Sequence, residues 1–392
     1  MRQTGKIQQG RKTRLLRVGS SVVTDAKTVA PPLQRGSTVL LPDARSLYDY
    51  SQTSYGRLGL SMQSALAEAI GELESAPPAR LFPSGLAAIC GVLQALLKAG
   101  DDILVVGCAY GPARRFCDGV LKRYGVTTQY LSPAASPDAI MSVAGPSTRL
   151  ILLESPGSLT FEIQDIPAIA AAARARGILT VVDNTWGAGL LYDPLTLGAH
   201  VSIQALTKYV SGHSDVFMGS ACSRDPDVLK QIDLYLRDFG LGVSPDDAYF
   251  MLRGLRTLEV RLKRHGENAL QIAAWLKQQP QVRQVLCPAL PGAPGHDLWK
   301  RDFKGTNGLF GLVLQPGDEA RIEAFIDALE LFGLGFSWGG FESLAIHCDP
   351  QLKLRPDRPD FGGPVVRLHV GLEDPEDLMA DLRHALETYS HK

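Results

Sequence analysis

From about residue 60 the chain alternates two kinds of apolar pattern. Ser64 to Glu74 and Leu86 to Lys98 carry hydrophobic side chains at helical spacing, and the second run is closed by Gly100, suited to the left-handed position after a helix end. Ile103 to Gly107, Leu150 to Glu154 and Ile178 to Asp183 are instead short continuous apolar runs, and the Ala/Ile-rich stretch Ile166 to Arg176 between the last two again has helical spacing. Continuous apolar strands separated by helices predict an α/β fold with a mostly parallel central sheet covered on both faces. At Ser244-Pro245-Asp246-Asp247 an N-cap, a proline and first-turn acids precede Leu252, Leu255, Leu258 and Leu262, which predicts a long helix. Mixed strands and helices then follow, ending in a helix over Leu378 to Tyr389. The organisation expected is an extended N-terminal arm over 1–59, a large domain over 60–245 and a smaller α+β C-terminal domain over 246–392 that begins with the long helix.

The arm is rich in Pro, Gly, Ser and Arg and lacks periodicity, so it reads as a segment that packs on something else. Its basic start, Met1 to Arg17, precedes no apolar run of the kind a secretory signal needs and reads as solvated. The 392 residues carry 40 basic and 41 acidic side chains, so no electrostatic footprint for nucleic acid or an anionic membrane is expected. No apolar stretch reaches the about 18 residues of a membrane helix. Six scattered cysteines without C-x-x-C spacing, in a chain too large to need staples, fit a reduced cytoplasmic setting.

Ligands of open α/β sheets collect at the carboxyl ends of parallel strands, where this chain places Glu154-Ser155-Pro156-Gly157, Asp183-Asn184-Thr185 and Thr207-Lys208. An acid at a strand end is ordinarily a loop or helix cap, and a lone lysine there ordinarily snorkels to water. Together they suggest more. A lysine in a desolvated cleft sheds its charge and becomes a nucleophile able to form a Schiff base, and pyridoxal phosphate needs such a lysine, an acid for its ring nitrogen and an anion site. The anion site is offered by Pro83-Ser84-Gly85-Leu86, small residues opening a helix, although such a start taken alone is ordinarily just a cap. Thr207 adds a hydroxyl. Tyr110, after the strand Ile103 to Gly107, either stacks on a flat ring or anchors its loop. Arg367 lies in Val365 to Val370, whose alternation puts it on one face with His369 and Gly371, as an edge gatekeeper or a carboxylate clamp. His213, between Gly212 and Ser214, reads as structural, and no metal constellation accompanies it.

In this order the motifs resemble the pyridoxal-phosphate enzymes of cysteine and methionine metabolism. The carriers are Y-G-R at 55–57, P-S-G-L at 83–86, A-Y at 109–110, L-E-S-P-G-S at 153–158, V-V-D-N-T-W at 181–186, T-K-Y-V-S-G-H-S-D at 207–215, R-G-L-R-T-L at 253–258, G-H-D-L-W-K-R-D-F at 295–303, F-S-W-G-G-F-E-S-L at 336–344 and R-L-H-V-G-L-E-D at 367–374. The resemblance implies a fold type I enzyme, aspartate aminotransferase-like, with pyridoxal 5'-phosphate as cofactor. It implies that Lys208 carries the cofactor, Asp183 holds its ring nitrogen, Gly85, Leu86 and Thr207 bind its phosphate and Tyr110 stacks on its ring. Arg367, with Ser337 and Trp338 nearby, would take the substrate carboxylate. Tyr55 and Arg57 would reach the phosphate of a neighbouring subunit in a homotetramer of catalytic dimers.

The chemistry implied is carbon–sulfur lysis of an amino-acid thioether: cystathionine to homocysteine, pyruvate and ammonia, in methionine biosynthesis, with Lys208 as base and Lys208 or Tyr110 as the acid for the leaving sulfur. Two departures stand out. Ala205 replaces a serine that many relatives carry two residues before the threonine, and Phe336 stands where γ-acting relatives have an acid. The second favours β over γ chemistry. A γ-lyase or γ-synthase, a cysteine desulfhydrase and a non-catalytic homologue are the alternatives.

Overall fold

The computed structural model describes residues 10–18, 28–49, 51–355 and 358–391. The reading of Met1 to Arg17 as a solvated arm falls outside the described residues as far as residue 9. Its remainder forms a short helix, α1 (Arg11–Arg17), whose Leu15 is buried beside helix α2 (Ser61–Leu73) while Arg14 pairs with Glu72. One apolar side chain and a flanking ion pair thus dock the arm where its composition suggests only loop.

Seven strands form the larger sheet: β1 (Arg80–Phe82), β2 (Asp102–Val106), β3 (Thr127–Leu131), β4 (Thr148–Glu154), β5 (Leu179–Asp183), β6 (Val201–Ala205) and β7 (Gly219–Ser223). Their order is β1-β7-β6-β5-β4-β2-β3, and β7 runs opposite to the rest, so the sheet is mostly parallel, as the continuous apolar runs predict. Strands β2, β4, β5 and β6 are buried along nearly their whole length, because helices cover both faces. Their carboxyl ends carry the polar residues, Glu154 and Asp183 being register partners on β4 and β5.

The smaller sheet comprises β8 (Val282–Leu286), β9 (Leu309–Leu314), β10 (Gly333–Leu334), β11 (Leu344–His347) and β12 (Val365–His369), in the order β10-β11-β12-β9-β8. It packs its own core against the chain's last helix, Pro375–His391, through residues such as Phe325, Leu368, Leu382 and Tyr389.

The long helix expected from Pro245 is two helices, Pro245–Leu255 and Leu258–Leu276. The break at Arg256-Thr257 has a tertiary cause. Arg261 reaches back from the second helix to donate to the Gly254 carbonyl at 2.8 Å and the Tyr209 carbonyl at 2.7 Å, and its Nε meets the Thr257 hydroxyl at 3.1 Å. That guanidinium ties the break to the turn that carries Lys208.

Candidate active site

Lys208 sits on the turn leaving β6, closed by hydrogen bonds from the Lys208 amide to the Ala205 carbonyl and from the Gly212 amide to the Lys208 carbonyl. Its Nζ donates to Ser337 Oγ at 2.9 Å and lies 5.4 Å from the centre of the Trp338 ring. Burial, reinforced by the positive charge of Arg367 and opposed by Asp183, lowers its amine to about 8. A lysine so placed still carries its proton most of the time at pH 7, but its free amine is present in roughly one molecule in ten, against fewer than about one in a thousand at the ordinary value.

Asp183 ends β5, and burial pushes its carboxyl upward. Thr185 works against that shift, giving its hydroxyl at 2.5 Å and its amide at 3.0 Å to the same oxygen, Oδ1. The Thr185 hydroxyl in turn accepts the Ala205 amide at 2.9 Å, locking the end of β5 to the end of β6. Sequence reasoning put Thr185 at this strand end but gave it no role, although a threonine two residues after an aspartate is a turn signal that marks it. It likewise placed Glu154 at a strand end without a role; its Oε2 accepts the Tyr110 amide at 2.7 Å, and its carboxyl is pushed well up by burial and by neighbouring Asp183. Tyr110 itself caps the helix Gly111–Phe116 and is half-exposed, and burial of its hydroxyl with Glu154 and Asp183 nearby raises it.

Helix α3 (Gly85–Leu96) begins against the end of β6. A side chain at Gly85 would bring its Cβ within 2.4 Å of Ala205 Cβ, so both positions stay small for the helix start to reach the lysine turn. Ser84 caps the helix by accepting the Ala87 amide, and the Gly85 and Leu86 amides, in its first turn, have no intrahelical acceptor. Thr207 Oγ1 accepts the Met218 amide at 3.1 Å, and its own proton points to the Met218 carbonyl at 3.2 Å or outward to an anion.

Arg367 is buried on β12, where Nη2 donates to the carbonyls of Phe336 and Ser337, both at 3.0 Å. A small cleft is lined by Glu154, Asp183, Thr185, Trp338 and Arg367. Asp183, Trp338 and Arg367 line this cleft; Lys208 joins it through Ser337 and Trp338, Tyr110 through its amide on Glu154, and Thr207 precedes the lysine on a turn that the start of α3 approaches at Ala205. Phe336 is largely exposed. Tyr55 and Arg57 are not part of this group: Tyr55 is half-exposed, and Arg57 donates to the Arg237 carbonyl at 3.3 Å beside a groove of about 980 Å³ that none of the other candidates lines. His213 Nδ1 is 2.7 Å from the Ser211 carbonyl, an ordinary loop contact.

A depressed lysine, a half-buried acid with one oxygen unengaged by its threonine and a helix start with free amides fit the three demands of pyridoxal 5'-phosphate, and the sheet is that of fold type I enzymes, the class to which this fold and cleft belong. More narrowly, the chain belongs to the Cys/Met metabolism PLP-dependent enzyme family, whose model matches residues 12–387, and its cofactor is pyridoxal 5'-phosphate. It is 45% identical to a putative cystathionine beta-lyase of Rhizobium johnstonii over 97% of each chain, and 42% identical to cystathionine beta-lyase of Bordetella avium over 93% of each. The solved cystathionine gamma synthase of Xanthomonas oryzae pv. oryzae, in complex with cystathionine, matches with a TM-score of 0.91 at 34% identity, over 98% of this chain and 99% of that one.

Proposed function

We propose that this enzyme is a carbon–sulfur β-lyase that cleaves L-cystathionine to homocysteine, pyruvate and ammonia, as a step of methionine biosynthesis. The observation that carries the reading is the grouping of a half-buried, depressed Lys208, held by Ser337 and Trp338, with Asp183 and Arg367 at one strand-end cleft. Similarity over nearly the whole length to relatives named cystathionine beta-lyase supports the substrate.

Bound pyridoxal phosphate supplies an electrophilic carbon for the amino group and an electron sink for the Cα carbanion. The residues of this chain do the rest. The Gly85 and Leu86 amides and the Thr207 hydroxyl would hold the phosphate, the Asp183 carboxylate would favour a protonated ring nitrogen and Tyr110 would lie beside the ring. Arg367, its Nη2 committed to Phe336 and Ser337, offers its remaining N–H groups to the α-carboxylate, with Ser337 and Trp338 alongside. Lys208 Nζ, aimed by Ser337 Oγ, takes the Cα proton. Two groups compete to protonate the leaving sulfur. Tyr110 is pushed up and holds its proton, whereas Lys208 leaves the first step protonated and near 8, so Lys208 is the better acid.

Other features accord with the family's organisation. The separation of Tyr55 and Arg57 from their own Lys208 supports a site shared between subunits, in a homotetramer of catalytic dimers. Two separate sheets support the division into an arm over 1–59, a cofactor-binding unit over 60–245 and a C-terminal unit over 246–392. Six free cysteines, five of them buried, support a cytoplasmic setting, and no helix among the described residues is long and apolar enough to cross a membrane.

The test is to supply the cofactor-loaded enzyme with L-cystathionine and identify the products. Pyruvate with homocysteine is expected. Release of 2-oxobutyrate with cysteine would overturn the β assignment in favour of γ chemistry, and failure of Lys208→Ala to abolish turnover would overturn the site.

A further inference from the structure

His369 ends β12 two residues beyond Arg367 and is fully buried. Its Nε2 lies 3.0 Å from the Gly339 amide nitrogen and its Nδ1 lies 3.0 Å from the Glu342 carbonyl oxygen. An amide can only donate and a carbonyl can only accept. The imidazole is therefore fixed in one tautomer, with its proton on Nδ1 and a bare Nε2, and it is neutral. All but one of the influences on it favour that state. Burial acts first, then His265 on the helix Leu258–Leu276 at 5.3 Å between ring centres, then Arg367 on its own strand and Lys208 on the lysine turn, against the single opposing contact to the Glu342 carbonyl. Tyr209 lies 5.8 Å away, and the Glu342 carboxylate is engaged instead by the Ser214 hydroxyl.

Both bonds fall on one segment, Phe336–Glu342, which belongs to no helix or strand. That segment supplies the Ser337 hydroxyl to Lys208 Nζ, the Trp338 ring beside it and the two carbonyls that orient Arg367. Gly339 has a φ of +86°, and a Cβ there would lie 2.9 Å from Lys208 C and 3.0 Å from Lys208 Cα, so the segment's backbone presses on that of the lysine. A stretch with no ladder of its own needs an outside anchor to hold side chains at hydrogen-bond tolerance.

We propose that His369 is a positioning residue: its neutral ring clamps Gly339 and Glu342 and so holds Ser337 and Trp338 against Lys208 and aims Arg367 at the substrate carboxylate. The proposal rests on Lys208 being the cofactor-bearing lysine. It separates His369 from a merely structural buried histidine, whose loss would weaken the fold and leave the surroundings of Lys208 unchanged.

The experiment measures, in the full-length chain freed of cofactor, the pH dependence of Lys208 acylation by an amine reagent, read at that residue by peptide mass spectrometry. With cofactor restored, KM and kcat are measured separately. The wild-type midpoint is expected near 8. In His369→Phe, which keeps the ring volume and loses both hydrogen bonds, the midpoint rises by about one unit or more toward 10.5 as water reaches the amine. KM rises about tenfold, with a smaller change in kcat, because Arg367 loses its aim. His369→Gln, whose amide oxygen can accept from Gly339, restores both. A wild-type midpoint and KM in His369→Phe would overturn the proposal, whatever its stability. Should that variant not fold, His369→Asn decides, since it keeps a donor near Glu342 but falls short of Gly339: a raised midpoint beside a normal one in His369→Gln supports the clamp, and equal midpoints overturn it. The labelling needs no turnover, so a failure of the lyase reading stays distinguishable from a failure of the clamp.

Discussion

Thr185 places both its hydroxyl and its amide on a single oxygen of Asp183, at 2.5 and 3.0 Å, while the same hydroxyl accepts the amide of Ala205 from the next strand. Asp183 would otherwise be pushed further up by burial, and a protonated carboxyl cannot hold a ring nitrogen in its protonated form. Thr185→Val keeps the shape and removes the hydroxyl. The cofactor dissociation constant, followed by fluorescence, should rise about tenfold to a hundredfold, the worth of one hydrogen bond to a charged group. Thr185→Ser should recover most of it, and a Val variant that binds cofactor like the wild type would remove Thr185 from the site.

Arg367 holds its place through one nitrogen, with Nη2 shared between two carbonyls. A lysine carries the same charge but cannot keep those two bonds and also face a carboxylate with two parallel donors. Arg367→Lys should therefore lose about a hundredfold in kcat/KM for the amino acid, expressed mainly in KM. Cofactor binding should change little. A small effect on KM would mean that the carboxylate is read elsewhere in the cleft.

Arg57 lies beside a groove that its own Lys208 does not line. If it completes a neighbour's phosphate site, Arg57→Ala and Lys208→Ala are each inactive alone, yet a mixed dimer of the two contains one intact site. Randomly reassembled equal mixtures should regain about a quarter of wild-type activity, since half the dimers are mixed and each has one good site of two. Mixtures as inactive as their parents would place Arg57 and Lys208 in the same subunit's site or remove Arg57 from catalysis.

Much of this cleft was legible because its parts announce themselves locally. The apolar runs ending at Glu154 and Asp183 mark parallel strands, and Ser84-Gly85 marks a helix start, so the sequence alone directs attention to one edge of one sheet. What local pattern cannot show is contact between distant segments. Ser337 meets Lys208 across 129 residues from a stretch without periodicity, and only resemblance to a family suggested it. Leucines 252, 255, 258 and 262 keep helical spacing straight through the break at Arg256-Thr257, which Arg261 imposes from its bonds to Tyr209 and Gly254. The role of Thr185 was written in Asp183-Asn184-Thr185, but its second bond, to Ala205, exists only once β5 and β6 lie side by side.

Behind the cleft, Glu74 is buried at the end of α2, where Gln204 and Asn184 donate to its carboxylate, the latter at 3.2 and 3.3 Å to its two oxygens. Both donors neighbour site residues, Asn184 following Asp183 and Gln204 preceding Ala205. Burial raises Glu74 to about 7 from its ordinary 4.5, outweighing those hydrogen bonds, and Asp193 nearby adds to the rise. The folded chain then binds more protons than the unfolded chain between these two values. Stability from this group is full below 4.5, declines as pH rises toward about 7 and is flat above that. The total change is about 3 kcal/mol at most. Glu74→Gln removes the titration. Measured by urea unfolding, the variant should gain on the wild type steadily across that window, even if it starts less stable because its own NH2 faces the donors of Gln204 and Asn184. Two curves that run parallel from pH 4.5 to 7 would show that Glu74 does not titrate there.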